Sequence, residues 1–282
     1  MDYKHLIDSI KRFGSTDEDI CVHGLGILPE QVHENVIIAP WWEPSVLQGL
    51  GEAEYLSESD FSAIKVWDIK NDGADITYIK TGIGAPVLMD ALLSLGVTKC
   101  RRAIFIGSAG SLDSNIGIGD IVIPEYSICG DGASRYIAAD SLNEEDSFGS
   151  RLYPDSQLYE NLYQNAEHIC RCSNVGFHIG KTFSIDTIFA PFAHIDEILE
   201  MGCNVIEMET AAAFRAAQIA DISLAALFCV SDNTITNKSL ISGRTEEEME
   251  YRKFTRKVIF PQIIRDTIAL GEVSYELSAS HT

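Results

Sequence analysis

No run of apolar residues in this chain approaches the length that spans a bilayer, and none follows the N-terminal Met1-Asp2-Tyr3-Lys4-His5 as a signal segment would. Secretion and membrane insertion are not expected; the cytoplasm is. Basic residues are scarce as well: 21 Lys and Arg stand against 42 Asp and Glu, a formal net charge of −21. A surface this negative repels phosphate backbones and anionic lipids unless a local basic patch intervenes. The candidates are Arg101-Arg102 and the cluster Arg252, Lys253, Arg256 and Lys257. The second sits beside Glu246, Glu247, Glu248 and Glu250 and reads as a solvated, salt-bridged helix face. Nucleic acid and membrane are therefore not expected as partners. Arginine is missing altogether between Arg12 and Arg101. Cysteine is present, seven in all, but in an odd number, and its one close pair, Cys170-Arg171-Cys172, has no common zinc or redox spacing. Reduced thiols fit that count best.

Linkers and repeats are also absent, so the 282 residues read as one domain, with an N-terminal extension over about 1–34 and a tail over about 271–282 that has little apolar content and is expected to be poorly ordered. Within it, strand-like and helix-like segments alternate, the pattern of an α/β domain with a largely parallel core. The strands are expected at Asn35–Ala39, Ser62–Ile69, Ile76–Thr81, Ala103–Gly107, Asp120–Pro124, Phe177–Phe183, Cys203–Ile206 and Leu224–Val230. Asn71-Asp72-Gly73 supplies a hairpin turn between the second and third. Helices are expected at Pro86–Leu95, Tyr159–Cys170, Ile195–Met201, Met208–Ala220 and Glu246–Leu270, the last interrupted at Pro261. Gly130–Ser150 reads as loop.

Four strand ends carry polar chemistry. Thr81-Gly82-Ile83-Gly84-Ala85-Pro86 takes a strand through two glycines into a helix opened by proline. Backbone N–H groups there could face an anion, or the turn could be a plain connection. Gly107-Ser108-Ala109-Gly110 closes an apolar strand with small residues and one hydroxyl, either a tight turn or a place where a ligand meets backbone. Glu207-Met208-Glu209 leads into the alanine-rich Thr210–Phe214, where a carboxylate could cap the helix or grip vicinal hydroxyls. Ser231-Asp232-Asn233 ends the last strand, as an Asx-turn or as a presented acid.

Taken together and in order, Gly82-Ile83-Gly84-Ala85-Pro86, Gly107-Ser108-Ala109-Gly110, Gly119-Asp120-Ile121-Val122-Ile123-Pro124, Glu207-Met208-Glu209 and Ser231-Asp232 resemble the nucleoside phosphorylase family, over about residues 20 to 265. That family includes purine nucleoside and uridine phosphorylases and related nucleosidases. The resemblance implies a three-layer α/β fold of the phosphorylase/hydrolase kind around a central mixed, largely parallel sheet. It also implies cleavage of the bond between a nucleobase and ribose, and a homo-oligomer. Neither a metal nor an organic cofactor is expected. Pro86 and the stretch Asp131-Gly132-Ala133-Ser134 with Tyr136 look phosphorolytic.

By the same resemblance Glu209 binds the ribose 2′ and 3′ hydroxyls with Met208 beneath the sugar, and Glu207 and Gly110 belong to the substrate site. Asp232 is the acid that assists the departing base at N7; such an acid suits a reaction in which negative charge builds on the base. Gly84 and Ser108 would hold phosphate, and His23 would reach a neighbouring subunit's ribose. The family's stacking phenylalanine falls on Ile188 here, with Phe189 adjacent as the substrate-binding candidate. The stretch after Asp186-Thr187 has neither the glutamine nor the arginine of the uridine branch, so purine is favoured.

The sequence also departs from the family. Where the phosphorylases have a Gly-Asp-Pro loop and an arginine, this chain reads Pro40-Trp41-Trp42-Glu43-Pro44-Ser45, and Phe105 replaces the arginine before the Gly-Ser turn. The usual charge-assisted donors to phosphate are therefore missing. Phosphorolysis is the first expectation, with the nucleoside and phosphate as partners. Hydrolysis, with Glu43 activating water, and a non-catalytic nucleoside-binding relative are the alternatives.

Overall fold

In the computed structural model, residues 2–47, 49–57, 63–71, 74–138, 146–240 and 242–279 are described, with side chains through residue 269. The strands are β1 (Asn35–Ala39), β2 (Glu52–Tyr55), β3 (Lys65–Lys70), β4 (Ile76–Lys80), β5 (Arg102–Ser111), β6 (Ile121–Ile128), β7 (Arg151–Leu152), β8 (Phe177–Ser184), β9 (Val205–Glu207) and β10 (Ser223–Asn233). The helices are α1 (Tyr3–Arg12), α2 (Asp17–Leu25), α3 (Ala85–Leu95), α4 (Gly132–Tyr136), α5 (Ser156–Ser173), α6 (Ile195–Glu200), α7 (Thr210–Ile219), α8 (Glu246–Phe254) and α9 (Phe260–Ala279).

One sheet runs β10-β6-β8-β9-β5-β1-β4-β3-β2, and β10 also pairs with β5, so β5, β10, β6, β8 and β9 close into a ring. The sheet is mixed. Pairings are parallel where β1 meets β4 and β5, where β10 meets β5, and where β8 meets β6 and β9. They are antiparallel between β10 and β6, between β5 and β9, and along the β2–β3–β4 edge. β1, β4, β5 and β10 are buried on both faces for most of their length, as strands covered by helices must be, whereas β8 leaves Ile179 and Lys181 exposed. In β1, Val36 and Ile38 point to one core and Ile37 and Ala39 to the other; β5 and β10 alternate in the same way. The first core holds α2, α3 and α7, the second α5 and α9, which makes three layers.

Local chemistry accounts for the element ends. The capping boxes Thr16/Asp19 and Thr245/Glu248 start α2 and α8, and Asp155 caps α5. Five alanines of α7, from Ala211 to Ala217, are buried, and their small side chains let this helix lie close to α3 and the sheet. The 1–34 stretch is packed against this body: Tyr3 donates to the Leu93 carbonyl at 2.6 Å, and α2 lies on α3. The expected strands all form, and β2 joins them as an exposed edge that no burial pattern announced. The hairpin turn at Asp72-Gly73 falls outside the described residues, although β3 and β4 pair antiparallel on either side of it. The interruption expected at Pro261 takes the form of a π-helical turn at Thr255–Ile259. Pro261 has no N–H to return to the Lys257 carbonyl, and the wider turn absorbs the loss. The helical backbone then continues through Gly271 to Ala279. Gly130–Ser150, read as loop, contains α4: Asp131 caps it by accepting from the Ser134 N–H at 2.7 Å and from its hydroxyl at 2.6 Å.

Candidate active site

The carboxyl ends of the strands gather around a cavity of about 500 Å³, where open α/β sheets place ligands. Strand β5 contributes Phe105, Gly107, Ser108 and Gly110, β9 ends in Glu207 followed by Met208 and Glu209, and β10 brings Ser231 and Asp232. The mouth is apolar, with Trp41, Ile83, Ile188, Phe189 and Phe192 all half or more exposed or close to it. The segments after β1, β4 and β8 supply these side chains. Phe189, at 75% exposed, stands at the mouth and not in the depth of the site.

The two carboxylates flanking Met208 divide the roles left open by the sequence. One oxygen of Glu207 accepts the N–H groups of Glu209 and Thr210 at 2.6 and 2.7 Å, and the other accepts the Ser184 hydroxyl at 2.6 Å. Glu207 is thus the acceptor for the first turn of α7. Glu209 makes a single described side-chain bond, from the Gly84 N–H at 2.7 Å, and otherwise faces the cavity. Burial pushes both carboxyl groups up, and the neighbouring Glu207 pushes Glu209 further. Glu207, with three donors aimed at it, is the better seat for the shared negative charge; Glu209 is the readier of the two to hold a proton.

Asp232 is buried, and one of its oxygens accepts the Ser231 hydroxyl at 2.6 Å. Its other oxygen lies so close to Gly110 that a Cβ there would meet it at 3.0 Å, so glycine is what leaves room for the carboxylate. Desolvation raises its pKa, against the opposing pull of Ser231, Arg244 and Arg252.

Three sequence expectations are revised. Gly84 and Gly82 do take the left-handed φ values of a tight turn, 118° and 91°. Their N–H groups, however, are already spent on Glu209 and on the Pro40 carbonyl, and neither glycine lines the cavity. Glu43 is not among the lining residues either; its carboxylate is held by Lys80 at 3.0 Å, with Lys65 at 3.8 Å, and this pairing lowers its pKa. The basic cluster of α8 is only partly a solvated face. Lys253 pairs with Glu250 at 3.2 Å as expected, but Arg252 lines the cavity and Arg256 lies over the Trp42 ring.

Arg252 donates to the Ser108 hydroxyl at 2.8 Å, and Arg244 also lines the cavity, donating to the Ser231 carbonyl at 3.4 Å. Sequence reasoning missed both. Helical phase carried the signal: Arg252, Thr255, Arg256 and Ile259 share one face with the buried Phe260 and Ile263, while Glu250, Lys253 and Lys257 do not. His23 is exposed on α2 outside the cavity; the role the resemblance implies for it belongs to a neighbouring copy's site.

The sequence profile of the Phosphorylase superfamily matches residues 47–259. The chain belongs to that superfamily. Among its members, a uridine phosphorylase from Thermococcus kodakarensis is 26% identical over 195 residues, covering 63% of this chain and 65% of that one. A purine nucleoside phosphorylase from Streptococcus suis is 24% identical over 173 residues, covering 58% and 65%. The match thus spans less than two thirds of the length of these curated relatives. The crystal structure of purine nucleoside phosphorylase from Toxoplasma gondii in complex with immucillin-H superposes with a TM-score of 0.69 at 18% identity, over 88% of this chain and 95% of that one. The superfamily fold and the three-layer α/β architecture of this chain agree. No helix among the described residues is long and apolar enough to cross a membrane.

Proposed function

We propose that this protein cleaves the N-glycosidic bond of a purine-type nucleoside, with inorganic phosphate as the nucleophile. One observation carries the reading: Asp232 and Glu209, two buried carboxyl groups with raised pKa values, line the same cavity from different strand ends. A carboxyl group held above its ordinary range is suited to deliver a proton as negative charge builds on a departing base. Glu209, whose far oxygen is committed to Gly84, presents the acceptor that a pair of ribose hydroxyls needs. The apolar mouth formed by Ile188, Phe189 and Phe192 suits a flat base, and the segment after Asp186-Thr187 that supplies it has neither glutamine nor arginine.

Phosphate is preferred to water because Glu43, the candidate water-activating base, is tied to Lys80 outside the cavity. The test is product analysis with purine nucleosides, with and without phosphate. Ribose 1-phosphate formed only when phosphate is present is the expected result. Free ribose at a phosphate-independent rate would overturn the choice of nucleophile, and no turnover of any nucleoside would overturn the activity.

A further inference from the structure

The family's arginines for phosphate are missing from both of their places in this chain. Phe105 stands in one, packed edge-on against Phe228 with ring centroids 5.2 Å apart; Pro40, Trp41 and Trp42 stand in the other. The two glycines of the turn offer no replacement, since the N–H of Gly82 goes to Pro40 and that of Gly84 to Glu209. Yet the cavity has a cationic wall. Arg252 reaches it from α8, and Arg244 from the segment between β10 and α8. Among the described residues, no carboxylate lies within ion-pair distance of either guanidinium, in a chain with twice as many acidic as basic residues. Arg252 spends one nitrogen on the Ser108 hydroxyl, and its Nε is buried with no hydrogen-bond partner at all. Asp232 attracts Arg252 without pairing with it, while Arg256 and Arg244 add like charge nearby. Both arginines are half-buried, a buried donor without a partner is costly, and a guanidinium is the group best matched to an oxyanion with two adjacent acceptors.

We propose that Arg252, with Ser108 and Arg244, forms a relocated oxyanion site that binds a phosphate group on this wall of the cavity. It rests on the reading of the cavity as a nucleoside site only for what the phosphate does there, not for the binding itself. Ser108 has the same backbone place as in the resemblance, but its charged partner now comes from a C-terminal helix and not from the strand before the Gly-Ser turn. The phosphate is either free inorganic phosphate or a phosphate ester on the substrate.

The experiment has a binding arm and a turnover arm, both on the full chain. Inorganic phosphate alone, titrated calorimetrically without nucleoside, binds wild type saturably. Arg252→Gln weakens it by about tenfold or more, the size expected when a charge-assisted hydrogen bond is lost. Arg252→Lys restores part of the affinity, and Ser108→Ala loses less than Arg252→Gln. Circular dichroism checks that each variant is folded; should Arg252→Gln fail to fold, Arg244→Gln serves in its place, with a smaller loss expected. In turnover, a rise in the KM for phosphate in Arg252→Gln, with nucleoside as co-substrate, identifies free phosphate as the ligand. A loss of preference for a nucleoside 5′-monophosphate over the nucleoside identifies the ester. Absence of saturable phosphate binding to wild type, together with no such preference, overturns the site, as does equal affinity in Arg252→Gln. Arg252-dependent phosphate binding without cleavage of any nucleoside leaves the site standing and removes the proposed activity.

Discussion

The Gly82–Pro86 turn and the wall built by β5, β10 and α8 flank the same cavity, and both look like anion sites. The turn has the glycines, the positive φ values and the helix start; the wall has Ser108, Asp232 and two arginines. They differ in what is left unspent. The N–H groups of both glycines in the turn are bonded internally, to Pro40 and to Glu209. On the wall, Arg252 keeps an unpartnered Nε and has no ion-pair partner among the described residues. A donor already satisfied has little to give a ligand, whereas an unsatisfied buried one gains a full hydrogen bond on binding. The turn therefore acts as a buttress for Glu209, and the wall is where the proposed chemistry falls.

This contrast can be broken or sharpened by substitution. The largest effect is expected on the wall. Asp232→Asn is close to isosteric, and turnover of purine nucleosides should fall by about 10²-fold or more, as for loss of a general acid. Thermal unfolding should show the fold intact; steady-state rates equal to wild type would remove Asp232 from the mechanism.

Glu209 joins the two regions, and Glu209→Gln should give an intermediate effect. Ribonucleosides should lose about tenfold more rate than 2′-deoxynucleosides, the worth of one hydrogen bond to the 2′ hydroxyl. Equal losses for both sugars would show that Glu209 does not grip that hydroxyl. The same variant has a pH signature. Because burial and Glu207 raise the pKa of Glu209, the folded, ligand-free protein holds this proton more tightly than the unfolded chain. Wild-type stability must therefore fall as pH rises from the ordinary carboxylate value toward the raised one. The glutamine variant lacks that loss, so its melting temperature should gain on wild type as pH rises through this window and match it at lower pH. A difference constant with pH would place the proton elsewhere.

The smallest effect on chemistry is expected at the turn. Gly84→Ala places a side chain at φ 118°, a strained conformation worth about 1–3 kcal/mol of stability. Denaturant unfolding should register that cost while the affinity for phosphate stays within about twofold of wild type, far below the effect of a lost charged donor. A large loss of phosphate affinity in a folded Gly84→Ala protein would return the anion to the turn.

These contrasts also mark how far the sequence could be read. The strand-end clusters at Ser108, Glu209 and Asp232 were legible because each follows an apolar strand, and parallel strands deliver their ends to one edge. Helix α7 was legible from its alanines, and the break before Pro261 from the missing N–H. Strand β2 was not, since all four of its residues are exposed and no alternation marks them. Helix α1 was missed although Tyr3, Leu6, Ile7 and Ile10 recur at helical spacing, a pattern that could have found it. Arg252 was misplaced because an acidic run beside basic residues is the pattern of a surface face, and Glu250–Lys253 fits it.

By itself the sequence determined the order of strands and helices, the family to which that order belongs, and which residue types stand at the strand ends. These follow from local periodicity, from turn chemistry and from residues close together in the chain. The tertiary structure alone decided how Glu207 and Glu209 divide capping and presentation. It alone withdrew Glu43 to Lys80, and it brought Arg252 across 144 positions of the chain to Ser108. Whether a polar group is free or satisfied depends on partners distant in sequence, and only the folded chain assigns those partners.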